Sequence, residues 1–115
     1  MINKFKAEKT TIDDITFDSK LEARYYKHLK LLEKAGEISN LQRQIPFELQ
    51  PAYTDNAGKK IRPIKYVADF VFTRGDEKVV VDVKGVQTNE FKLKWKLMKY
   101  KYPDYKFEII TKGDF

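Results

Sequence analysis

The chain of 115 residues contains no cysteine. That excludes a disulfide framework, a thiolate zinc site and a cysteine nucleophile. A single histidine, His28, leaves too little for a histidine-built metal centre or a histidine-based triad. No apolar run approaches the roughly 20 residues that a membrane-spanning helix needs. The N-terminus shows no apolar stretch of the signal-peptide kind, so the reading is a cytoplasmic protein with no membrane partner. No internal repeat or low-complexity tract occurs.

What is present argues for a folded domain. Hydrophobic residues make up 42% and aromatic residues 14% of the chain, enough for one modest core. A single domain over residues 1–115 is expected, with 1–17 as a lead-in segment carrying Lys4, Lys6 and Lys9. The formal charge is +6 and the isoelectric point about 9.4, which favours a polyanionic partner such as nucleic acid.

Residues 19–35 read as a helix, capped by Ser19 and stopped by Gly36. Leu21, Tyr25, Leu29 and Leu32 recur at helical spacing and form its apolar stripe. Glu22 projects beside that stripe, and two readings of it stand together. Ser19-Lys20-Leu21-Glu22 fits a capping box, in which the glutamate bonds back to the cap amide. The same carboxylate could also face a site on the sheet. Residues 39–50 alternate through Ile45, Phe47 and Leu49 as a strand, with Pro46 placing it at an edge or breaking it there. Residues 88–102 form a second helix with Phe91, Trp95, Met98 and Tyr102 on its core side. Lys92, Lys96 and Lys99 lie together on an adjoining face. A last strand covers residues 105–111.

The densest chemistry lies in residues 66–85. Tyr-Val-Ala-Asp-Phe-Val-Phe and Lys-Val-Val-Val-Asp-Val-Lys-Gly read as two strands joined by a tight connection. Side chains alternate along a strand, so Val67, Asp69 and Val71 are expected on one face of the first. Val80, Asp82 and Lys84 share a face of the second. Paired as a hairpin, these strands bring Asp69, Asp82 and Lys84 together. Two adjacent carboxylates resist ionising together unless a cation lies between them. An oxygen-ligated metal beside a phosphate fits this grouping. A solvated edge strand carrying an Asp82–Lys84 ion pair fits it as well.

Glu22 on a first helix, Asp69 on one strand and Asp82-Val83-Lys84 on the next resemble the PD-(D/E)XK nuclease superfamily. The expected order, α-β-β-β-α-β, is that of its restriction-endonuclease-like core, an α/β fold with a mixed central sheet flanked by helices. Ala68 stands where the motif name has proline. Ser19-Lys20-Leu21-Glu22, Ala68-Asp69-Phe70 and Val81-Asp82-Val83-Lys84-Gly85 are similar to segments of bacteriophage endonuclease I-type Holliday junction resolvases. They also resemble small phage nucleases and the nuclease domains of transposon-end enzymes.

The resemblance implies a Mg²⁺-dependent endodeoxyribonuclease, with Mn²⁺ able to substitute. Glu22, Asp69, Asp82 and the Val83 carbonyl would hold the ion, and Lys84 would orient the attacking water and stabilise transition-state charge. Lys92, Lys96 and Lys99 would contact DNA phosphates. Branched DNA such as a four-way junction is the expected substrate, and two cuts per junction imply a homodimer of phage or mobile-element origin. The alternatives are a nicking or double-strand endonuclease without branch preference, a non-catalytic nucleic-acid-binding domain of the same fold, and an accessory subunit.

Overall fold

The structure, a computed structural model, describes residues 9–114; Lys4 and Lys6 fall outside them. The elements are β1 (Thr10–Ile12), β2 (Ile15–Phe17), α1 (Lys20–Lys34), β3 (Ser39–Gln50), β4 (Tyr53–Thr54), β5 (Lys60–Ile61), β6 (Ile64–Arg74), β7 (Glu77–Val83), α2 (Asn89–Lys101) and β8 (Lys106–Ile110). The main sheet has the order β3-β6-β7-β8. β3, β6 and β7 form an antiparallel meander, and β8 pairs with β7 in parallel through the α2 crossover. This is an α/β fold with a mixed sheet between two helices, in the α-β-β-β-α-β order expected for its core.

Local chemistry accounts for the boundaries. The Ser19 side chain accepts from the Glu22 amide at 3.1 Å and starts α1. Gly36, at φ 79, ends it in a left-handed conformation that glycine adopts without strain. Thr88 caps α2 by accepting from Phe91 N at 3.1 Å. The β6–β7 hairpin turns through Gly75-Asp76 with Gly75 at φ 66, and a glycine at the first central position suits a two-residue turn. Pro46 lies on β3, an edge strand, where a missing amide costs no ladder bond on the open side.

In the described part of the lead-in, residues 9–17, the strand at Ile15–Phe17 has a partner at Thr10–Ile12. β1 and β2 form a hairpin whose turn residues, Asp13 and Asp14, have φ 53 and 62. Asp13 Oδ2 accepts from the Tyr26 hydroxyl at 2.9 Å and fastens the hairpin to α1.

Each sheet face has its own core. Phe17, Tyr25, Tyr26 and Leu29 pack with Phe70, Phe72, Val79 and Val81 on the α1 side. Phe91, Trp95 and Met98 pack with Phe47, Tyr66, Ala68, Val71 and Val80 on the α2 side. β7 thus buries both faces over Val79–Val81, and its run of valines suits a central strand.

One expectation fails in an informative way. Val67, Asp69 and Val71 do not share a face. Tyr66 and Ala68 join the α2-side core, then Phe70 and Phe72 join the α1-side core and Val71 the α2 side. The alternation therefore breaks at Asp69. β3 breaks at the same level: Gln44, between the pairs Arg43↔Phe70 and Ile45↔Ala68, has φ 52. Leu41 packs toward α1, whereas Ile45 and Leu49 pack toward α2.

Candidate active site

The break sits where β6 and β7 part. Their ladder ends at the pair Phe70↔Val81. Beyond it, the Asp69 side chain replaces a backbone acceptor: its Oδ2 takes the Val83 amide at 2.8 Å. Separation of the strands opens the end of the sheet on both sides. Asp69 lines both openings. One, of about 380 Å³, is bordered by Asp18, Glu22, Val83 and Lys84. The other, of about 290 Å³, is bordered by Lys65, Tyr66, Asp82, Lys84 and Lys94.

Asp82 is 1% exposed, on the same side of β7 as Val80. Tyr66 donates its hydroxyl to Asp82 Oδ2. Lys84 Nζ stands 3.1 Å from Asp82 Oδ1 as an ion pair and 4.6 Å from the Phe91 ring centre. That contact lacks hydrogen-bond geometry, so Asp82 Oδ1 is a buried oxygen with no hydrogen-bond donor. Its charge is paired with Lys84, and its open hydrogen-bonding capacity is a feature that a ligand could fill.

Glu22 reaches the site from the other face. Only half of the capping box forms among the described residues: the Ser19 side chain holds the Glu22 amide, while the Glu22 carboxylate faces Arg43 at 3.7 Å. Burial pushes Glu22 above the usual carboxylate range, with Asp18 and Asp82 adding to the rise and Arg43 opposing it. Asp69 is pushed up to about 8, first by burial, then by the charges of Asp82 and Glu22, against the Val83 amide that favours its ionised form. Burial and the Asp82 charge likewise raise the Tyr66 hydroxyl.

The structure thus brings Glu22, Asp69, Asp82, Val83 and Lys84 to one end of the sheet. Lys92, Lys96 and Lys99 are exposed on α2 and line neither opening. Lys94 is the α2 lysine that borders the site. Two further site residues were not foreseen. Tyr66 had a signal, since it shares the strand of Asp69 and a buried tyrosine needs a partner for its hydroxyl. Arg43 had none, because its orientation depends on the reversal at Gln44.

An oxygen-ligated divalent cation suits this donor set. The buried Asp82 Oδ1 lacks a donor, and the mutual repulsion that raises Asp69 is what a cation would relieve. Among the described residues no three acidic or histidine side chains are already drawn together as a chelating group.

Residues 2–114 match the family described as protein of unknown function (DUF1064), and the chain belongs to that family. No curated protein matches the chain.

Proposed function

We propose that this protein is a divalent-metal-dependent endonuclease that hydrolyses phosphodiester bonds in DNA. The observation that carries this reading is the Asp69–Asp82–Lys84 grouping where β6 and β7 part, with Glu22 supplied by α1. It follows the order and element placement of the PD-(D/E)XK pattern. A net charge of +6 on the chain suits a polyanionic substrate.

Asp69, Asp82, Glu22 and the Val83 carbonyl would hold Mg²⁺ or Mn²⁺. When bound, the ion supplies charge neutralisation at the scissile phosphate and acidifies a water. Lys84 lines both openings and places a cation beside Asp82, where it neutralises phosphate charge and orients the attacking water. Tyr66 fixes the Asp82 carboxylate, and Arg43 holds Glu22 toward the sheet. Branched DNA, cut by a homodimer, is the substrate proposed first, on the resemblance to junction resolvases.

The test is incubation with labelled four-way junction, linear duplex and single strand, each with Mg²⁺, Mn²⁺ or EDTA. Cleavage is expected with either metal, absent in EDTA, and reduced on the order of a hundredfold or more in folded Asp82→Asn, by analogy with other electrostatic groups. No cleavage of any substrate by the folded wild type, or wild-type cleavage by Asp82→Asn, overturns the proposal. A junction cut no faster than duplex removes the branch preference alone.

A further inference from the structure

A short ribbon leaves the sheet beside the site and belongs to neither core. β3 ends at Gln50, opposite Ile64 at the start of β6, and β4 and β5 continue the pairing beyond them. No residue from 51 to 65 is buried. A two-stranded ribbon alone is marginal in water and gains little from its own contacts. This one is nonetheless internally braced. Asp55 Oδ1 accepts from the Ala57 and Lys59 amides, each at 2.9 Å, and Gly58 turns at φ 81.

Its charge is one-sided. Lys59, Lys60, Arg62 and Lys65 fall within seven residues and are all exposed. None forms an ion pair among the described residues. Of the nearby acids, Asp55 is held by turn amides, Glu48 faces Lys65 across the ladder without closing a salt bridge, and Glu90 lines the opening beside Lys65, Lys84 and Lys94, so cations outnumber them. The cations lead to the site, because Lys65 borders the same opening as Asp82, Lys84 and Lys94. Asp69 lies nine positions beyond Lys60. At about 3.3 Å per residue the track reaches up to roughly 30 Å, close to one turn of duplex DNA. A two-stranded ribbon is also narrow enough for the major groove.

We propose that the β4–β5 ribbon is a DNA-binding arm that grips the phosphates of the duplex flanking the cut, an inference that rests on the nuclease reading above. Its contacts are to backbone, so they add affinity and reach without base specificity.

The experiment measures binding of the full chain, in Ca²⁺, to duplexes whose flanks extend roughly 5 or 15 base pairs from the cut, inside and beyond about one helical turn. Wild type is compared with Lys59→Ala/Lys60→Ala/Arg62→Ala and with Lys27→Ala/Lys30→Ala/Lys34→Ala, a control of equal charge loss on α1. Circular dichroism checks folding, and the exposed arm positions should tolerate alanine. Wild type and control should bind the long duplex more tightly. The arm variant should lose that gain, and its salt slope on the long duplex should fall by about 2 to 3. An arm variant that keeps the gain, or a control that loses as much, overturns the arm while leaving the nuclease reading intact. Wild type that shows the arm-dependent gain yet cleaves nothing with Mg²⁺ or Mn²⁺ supports the arm and overturns the nuclease reading. Wild type that binds no DNA overturns both.

Discussion

Asp69→Asn should stabilise the metal-free protein at alkaline pH while removing its response to divalent cations. In the folded protein, burial and the charges of Asp82 and Glu22 push Asp69 up to about 8 from 3.8. An acid raised on folding contributes stability that is present below its unfolded value and lost as pH rises through its folded value. The wild type should therefore weaken between about pH 4 and pH 8. At about 1.4 kcal/mol per pH step, that interval sets a ceiling of about 6 kcal/mol. Partial exposure of Asp69 and rearrangement of its charged neighbours reduce the effect to about 1–3 kcal/mol. Asparagine cannot ionise, yet its carbonyl can still accept from Val83 N, so the strand end is kept.

For a domain of this size each kcal/mol moves the melting temperature by roughly 4–8 °C. Thermal unfolding from pH 4 to 9 in EDTA should show the variant gaining on the wild type as pH rises. Saturating Mg²⁺ or Ca²⁺ should then raise the wild type at pH 8, by about 2.7 kcal/mol at a hundredfold excess over Kd, and leave the variant unmoved. A variant less stable than the wild type at pH 8 without metal, or a difference flat with pH, would refute the reasoning about this carboxylate cluster.

Glu22→Gln should change the melting temperature little, because the relief of a buried charge offsets the loss of the Arg43 pair, and should strongly reduce cleavage. Full activity with lost stability would make Glu22 a helix-cap residue only. Tyr66→Phe removes the hydroxyl that donates to Asp82 Oδ2 and should cost about 1–3 kcal/mol, read by urea unfolding; an unchanged midpoint would show that the hydroxyl does not hold Asp82. Lys92→Ala/Lys96→Ala/Lys99→Ala should weaken binding to all DNA of suitable shape alike and lower the salt slope by about one for each phosphate no longer bound. An unchanged slope would place DNA on another surface.

Much of this fold was determined locally. Ser19, Gly36 and Thr88 mark helix ends by satisfying or terminating backbone hydrogen bonding within a few residues, so their roles can be read without the rest of the chain. The apolar periods of α1, β3 and α2 belong to the same class. So does the order of the main elements, and with it the prospect that Asp69 and Asp82 would meet across a hairpin. The helix–strand approach was less legible. Ser19 and Glu22 fit a full capping box, but the carboxylate turns to Arg43, which comes from β3.

What only the tertiary structure decided is which way side chains face once a strand loses its period. The reversal at Gln44 and Asp69 moves Val71 to the α2 side and Arg43 to the α1 side. It occurs at one paired level of both strands, between Arg43↔Phe70 and Ile45↔Ala68, so the register is kept while the facing changes. The same break ends the β6–β7 ladder, so the Asp69 carboxylate replaces a backbone acceptor and the site opens there. Periodicity assumes an uninterrupted strand, and it therefore misplaces residues at the point where the strand is interrupted to make room for the site.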